Sequence, residues 1–187
     1  MSESNSLSNH FLIAMPSLED PNFQRTVTFL CEHNADGALG IVINRPTDIR
    51  LGELLDHLET PAQDNATAAH PVYMGGPVQR ERGFVLHPPD DRWDSSLRVS
   101  DRVAVTTSRD ILAAIAKGNG PEQFLVALGY AGWGAGQLEQ EMADNAWLSG
   151  PADADVIFRR SNEERWRAAA ALLGVDITLL SSDTGHA

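Results

Sequence analysis

Leu125-Val126-Ala127-Leu128-Gly129-Tyr130-Ala131-Gly132-Trp133-Gly134-Ala135-Gly136-Gln137-Leu138-Glu139-Gln140-Glu141-Met142 changes its hydrophobic period midway. A continuous apolar run suited to a buried strand gives way, across four glycines, to polar residues with Leu138 and Met142 at i, i+4 spacing. The pattern predicts a strand, a glycine turn and a helix. Glycine admits positive φ or close approach of another group, so the turn is either a packing corner or a binding place.

Working outward, His10-Phe11-Leu12-Ile13-Ala14 reads as a short strand and Asp20-Pro21-Asn22-Phe23 as a loop anchored by Phe23. Two β-rich runs, Arg25 to His33 and Ala38 to Asn44, flank Asn34-Ala35-Asp36-Gly37 and predict a hairpin. Asn44-Arg45-Pro46 ends it, because proline cannot donate to a ladder. Leu51, Leu54, Leu55 and Leu58 fall at helical spacing. The polar stretch from Glu59 to His70 reads as an exposed connection. Strands are expected at Pro71 to Met74, Gly83 to His87 and Val103 to Thr107, with further short ones at Trp147-Leu148 and Val156-Ile157-Phe158. Ser108 with Asp110, and Ser161-x-x-Glu164, read as helix starts. Val175 to Leu180 reads as an edge strand or docked tail, and residues 1–9 and 181–187 as frayed ends. Strands outnumber helices and lie too close together for helical crossovers. The order predicts a single α+β domain over residues 1–187 with a mixed, mainly antiparallel sheet and packed helices.

Composition narrows the function. The 187 residues carry a formal charge of −12, which disfavours non-specific binding to phosphate backbones and anionic lipid. The single Cys31 lies in an apolar run, reads as a buried inert thiol, and fits a reducing cytosol. The polar start Met1 to Asn9 lacks the basic and apolar regions of a signal peptide, and no stretch approaches about 18 uninterrupted apolar residues. A cytoplasmic protein that does not span a membrane is expected.

Four stretches together are similar to the AlgH/YqgE family. They are His10 to Pro16 with Asp20 to Phe23, Gly37 to Pro46, Tyr73 to Val78, and Leu128 to Glu139. The resemblance covers nearly the whole chain. It implies a bifurcated sheet curled into a pseudo-barrel, and a loose link, through one branch of the family, to regulation of alginate production. The family is of unknown biochemical activity, so the resemblance brings no catalytic residues.

Candidate binding residues therefore come from the sequence itself. Gly132, Trp133, Gly134 and Gly136 resemble a dinucleotide turn, but the third glycine of G-x-G-x-x-G would fall at Gln137 and no βαβ unit surrounds them. Trp133 is either a core plug or a lid. Gly75 and Gly76 suit a turn between strands or an amide-lined pocket. Asn44 and Arg45 sit at a strand end, where binding residues gather. The histidines, His10, His33, His57, His70, His87 and His186, are scattered without H-x-x-x-H spacing, so no metal site or cofactor is expected. An enzyme using the glycine turns would need Glu32, His33, Arg45 and His87 to converge on them. For DNA, the best cluster has four arginines, Arg159, Arg160, Arg165 and Arg167, against Glu163 and Glu164, a local charge of +2. That is small beside the roughly six to ten phosphate contacts of a specific binder. Direct DNA binding is disfavoured. The reading is a binding or regulatory protein acting through a partner protein or a small anionic ligand, with any effect on transcription indirect.

Overall fold

The hairpin forms in the computed structural model, which describes residues 6–180. Strand β2 (Val27–Asn34) returns as β3 (Gly37–Val42) across a turn in which Asn34 Oδ1 accepts the Asp36 N–H at 2.8 Å. On its far side β2 pairs with β1 (His10–Ala14), and β1 pairs with the edge strand β10 (Trp147–Pro151). Ser6 to Asn9, expected to fray, are tied to β2: Leu7 N–H donates to His33 Nδ1 at 2.9 Å and Asn9 N–H to the Leu30 carbonyl at 2.8 Å. The remainder of the expected tails, 1–5 and 181–187 with His186, lies outside the described residues.

Strand β9 (Leu125–Gly134) is the central element. One edge takes β6 (Val78–His87), antiparallel. The other edge is shared. Val126 to Leu128 pair in parallel with Val72 to Met74 of β5 (Pro71–Met74), whereas Ala131 to Gly134 pair antiparallel with Gly37 to Gly40 of β3. The sheet forks at Gly129, whose φ is +78° and whose missing Cβ would lie 2.4 Å from the Gly76 carbonyl oxygen. Opposite the fork β6 breaks register between Val78 and Gly83, so both neighbours accommodate the kink. The remaining strands are β4 (Pro46–Arg50), paired with β5, and β8 (Ala104–Thr106) and β7 (Ser96–Arg98), which extend the sheet beyond β6. The mixed, mainly antiparallel sheet curls into a half-barrel, the α+β architecture expected from the sequence.

Helices cover both faces. Helix α1 (Leu51–His57) and α3 (Asp110–Ala116) bury Leu51, Leu55, Ile111 and Ile115 against Val72, Val85 and Val126. Helix α4 (Gln137–Ala143) packs Leu138 beside Trp133, Trp147 and Ala131. The largest cluster joins Phe11, Phe29, Ile41 and Phe84 to α5 (Ala154–Phe158), α6 (Arg165–Ala171) and a terminal 3-10 helix (Ile177–Leu180). The stretch from Glu59 to His70 contains one short helix, α2 (Asn65–Ala68), capped where Asp64 accepts from Thr67 N–H at 2.7 Å.

Two expectations change and a third is narrowed. The opening stretch does not turn across four glycines: β9 runs through Gly129, Gly132 and Gly134, because β3 and β6 pair with them or beside them, and the turn shrinks to Ala135-Gly136. Val156-Ile157-Phe158 is helical, since an apolar triplet does not choose a period and Asp153 Oδ1 caps the helix by accepting Asp155 N–H at 2.8 Å. Of the two alternatives for Val175 to Leu180, the docked tail holds and its form is new: a terminal 3-10 helix seated through the buried Ile177.

The fork makes a direct prediction. Gly136 also has positive φ, +77°, but open space where a Cβ would go. Gly136→Ala should therefore cost about 1 kcal/mol, the left-handed penalty alone. Gly129→Ala adds the clash with Gly76 and should cost several times as much in urea denaturation.

Candidate functional site

Beyond β3 the Asn44 and Arg45 side chains fasten the loop that precedes β2. Asn44 Oδ1 accepts Val27 N–H and Nδ2 donates to the Arg25 carbonyl, both at 2.9 Å. The Arg45 guanidinium donates to the carbonyls of Pro21 and, at 2.8 Å, of Gln24. Partial burial draws Arg45 downward from its ordinary value while nearby Asp20 opposes the shift. The charge stays, because an arginine does not deprotonate in this setting.

The fastened loop brings Arg25 over the Trp166 ring, 5.3 Å from guanidinium carbon to centroid. Arg25 itself has φ +57°. Trp166 is buried and donates its indole N–H to the Ala14 carbonyl at 2.9 Å. One residue on, Arg167 points outward from α6. Arg25, Arg45 and Arg167 thereby line one groove of about 320 Å³, with Asn162 and a single acid, Glu163. Among the described residues none of these three arginines forms a salt bridge.

Beside Trp166 in α6, Arg165 is 6% exposed and does not line the groove. Its guanidinium donates to the carbonyls of Ile43, of Val156 at 3.0 Å and of Ile157 at 2.8 Å, and lies 5.2 Å from the Tyr73 ring centroid. A buried cation without a carboxylate is tolerable because charged hydrogen bonds replace its lost hydration. It ties the end of β3, α5 and the start of α6 into one unit. The four arginines singled out for DNA thus occupy three environments: Arg159 and Arg160 flank Asp155 at 3.8 and 3.6 Å, Arg165 is inside, and Arg167 is in the groove.

Of the glycine positions, Gly75 and Gly76 follow Met74, whose N–H donates to the Arg45 carbonyl at 2.8 Å, and Gly132, Gly134 and Gly136 lie elsewhere. Gly75 donates to the Leu128 carbonyl and accepts from Val42 N–H, both at 2.8 Å, and a Cβ there would meet the Gly129 carbonyl oxygen at 2.4 Å. A Cβ at Gly76 would be 2.0 Å from Tyr130 backbone. Close packing of β5 on β9 accounts for both. Gly132 and Gly134 are exposed and flank Trp133, which is buried as a core plug: its indole and that of Trp147 donate to the same Glu141 Oε1, at 3.0 and 2.9 Å, and Phe23 packs on both rings. Gly136 begins α4. Gly134 faces Gly37 at one end of β3, whereas Asn44 follows the other end. At about 3.4 Å per residue Gly134 and Asn44 are roughly 20 Å apart.

The ionisable groups named for catalysis also separate. His33 accepts Leu7 N–H on Nδ1, so its Nε2–H donates to Glu139 Oε2 at 3.1 Å. Glu32 is exposed. His87 is fully buried: Nδ1 donates to the Pro88 carbonyl at 2.7 Å, leaving Nε2 to accept from the Thr106 hydroxyl at 2.6 Å. Burial lowers the His87 pKa, against the raising influence of the Pro88 bond and Asp90. The Cys31 thiol is pushed up to about 12, first by burial and then by Glu32, which keeps it inert. Among the described residues no group of three His, Cys, Asp or Glu could hold a metal, and no helix is long and apolar enough to cross a membrane.

A forked sheet curled into a half-barrel with packed helices defines the class of fold, and sequence comparison names the family. Residues 11–178 match the AlgH-like family, and the chain belongs to it. The UPF0301 protein of Thioalkalivibrio sulfidiphilus is 60% identical over 187 residues, covering 100% of both chains. The solution structure of the AlgH protein from Pseudomonas aeruginosa superposes with a TM-score of 0.80 at 52% identity, covering 97% of this chain and 96% of that one. A Corynebacterium diphtheriae protein of 20% identity shares the fold, with a TM-score of 0.74 over 94% of this chain and 92% of its own.

His87 supplies a pH prediction. Its folded pKa is depressed below the ordinary 6.5, so the folded state resists a proton that the unfolded state accepts. The stability from neutral His87 is complete above 6.5 and is lost as pH falls towards the folded value. The gap in urea midpoint between wild type and His87→Gln should narrow from pH 8 to pH 5, and a constant gap would contradict the burial argument.

Proposed function

We propose that the protein acts by binding: it captures an anionic group, a phosphate or a carboxylate, in the groove formed by Arg25, Arg45 and Arg167. The observation that carries this reading is the gathering of three arginines, free of carboxylate partners among the described residues, in a chain of net charge −12. Glu163 is the one acid among the residues that line the groove. The mutual repulsion of the arginines is relieved when an anion enters, and each charged hydrogen bond to it contributes about 1.5–3 kcal/mol. Arg45 is held by two carbonyls, and Arg25 rests on Trp166, so part of the ordering cost is met before a ligand arrives.

The groove's small volume suits a small ligand or a single acidic side chain presented by a partner protein. A regulatory role, if it reaches transcription, runs through that ligand or partner, and the lone buried thiol supports a cytoplasmic setting. The reading is one of binding: among the described residues, the exposed Glu163 is the one carboxylate that lines the groove.

Thermal melting in inorganic phosphate and in citrate tests the proposal. At 100 times Kd a bound anion should stabilise the wild type by about 2.7 kcal/mol. The double variant Arg25→Asn with Arg167→Gln should lose this, since asparagine tolerates the positive φ at position 25. Equal stabilisation of wild type and double variant would sink it.

A further inference from the structure

A second cavity stands apart from the arginine groove, between α1, α3 and the middle of β6. It encloses about 250 Å³. Its floor is apolar: Leu54 and Leu58 from the α1 side, Leu112 from α3, and Val85 and Leu128 from the sheet. Gly83 lines it with nothing within 4 Å of where a Cβ would sit and with no positive φ, so neither backbone conformation nor packing requires a glycine there. A side chain at this position would fill the space.

Two opposite charges stand at the rim. Glu81 and Arg109 both line the cavity, both are exposed, and among the described residues neither has a salt bridge or a side-chain hydrogen bond, to the other or to anything else. The third charged residue nearby, Arg82, has its guanidinium 5.3 Å from the Phe84 ring centroid, and Phe84 packs in the cluster on the opposite face from Val85. The Ser108 hydroxyl is already engaged with Asp110 at 2.5 Å. An unpaired carboxylate and an unpaired guanidinium over an apolar floor are complementary to a zwitterion with an apolar tail.

The geometry points to a binding site for a free apolar α-amino acid. Its carboxylate pairs with Arg109, its ammonium with Glu81, and its side chain enters the space beside Gly83 among the leucines. Size agrees: at about 30 Å³ per water in the liquid, the cavity matches roughly eight waters, and leucine has about nine non-hydrogen atoms. Ligand cavities of this kind combine an apolar lining with a few polar groups that fix orientation. The site is independent of the arginine groove, which none of its residues lines.

The test is an NMR titration of the isotope-labelled full chain with L-leucine. Glycine, 4-methylpentanoate (no ammonium) and isoamylamine (no carboxylate) are the comparison ligands. Saturable shifts are expected at residues 81–85 and 107–112 with leucine, with each of the other three at least about tenfold weaker. Gly83→Val, which suits a strand, should keep the melting temperature and abolish binding. Arg109→Gln and Glu81→Gln, both at exposed positions, should each weaken leucine about tenfold and keep the inference testable if the valine variant folds poorly. Absence of saturable shifts overturns it. So does binding unchanged by Gly83→Val or by both rim variants, or a half-ligand that binds as tightly as leucine.

Discussion

Strand β9 must pair along one edge with two strands of opposite direction, and Gly129 is the residue at which it changes partner. Before it, β5 runs parallel; after it, β3 runs antiparallel. An L-residue there would meet both the left-handed backbone penalty and the Gly76 carbonyl oxygen. The three buried clusters also depend on this strand. Leu125 and Ala127 contribute to the largest, Val126 to the one under α1 and α3, and Ala131 and Trp133 to the one under α4. Each large side chain so buried is worth about 1.5–3 kcal/mol, so a misplaced β9 would weaken every part of the core together.

The arginine groove follows from how the far end of β3 is secured. Arg165 holds three carbonyls from β3 and α5, and Asn44 and Arg45 hold the loop before β2. These polar clamps give the chain leaving the sheet a defined path where no ladder remains to define it. The cost is the burial of one guanidinium, offset by hydrogen bonds to carbonyls that would otherwise be unpaired. One result is that Arg25 and Arg167, far apart in sequence, line one groove with Trp166. The rigid part of the site is the clamp, and the exposed guanidinium groups are the part left to meet a ligand.

Local signals in the sequence were reliable where one short segment decides its own structure. Asp36-Gly37 marked the hairpin, and the leucine spacing from Leu51 marked α1. The glycines of β9 misled because strand pairing with distant segments, and not local preference, sets their conformation. Gly132 and Gly134 looked like turn residues and are strand residues. At the candidate site, Asn44 and Arg45 could be singled out by position at a strand end. Their companions could not: Arg165 reaches Ile43 across 122 residues, so its burial has no local signature. In sequence it is one of four arginines in a cluster of local charge +2. Phe23 was legible as an anchor, and it packs on Trp133 and Trp147.

Native-state hydrogen exchange across the whole chain tests the central role of β9 most directly. If the fork at Gly129 is the constraint on which the rest depends, the amides of β9 on both sides of it exchange together and only through global unfolding. The edge strand β7 and the Glu59 to His70 connection then exchange through smaller openings. Exchange of the β3-paired half of β9 well before the β5-paired half would contradict the account, because the two arms of the fork would then be independent units.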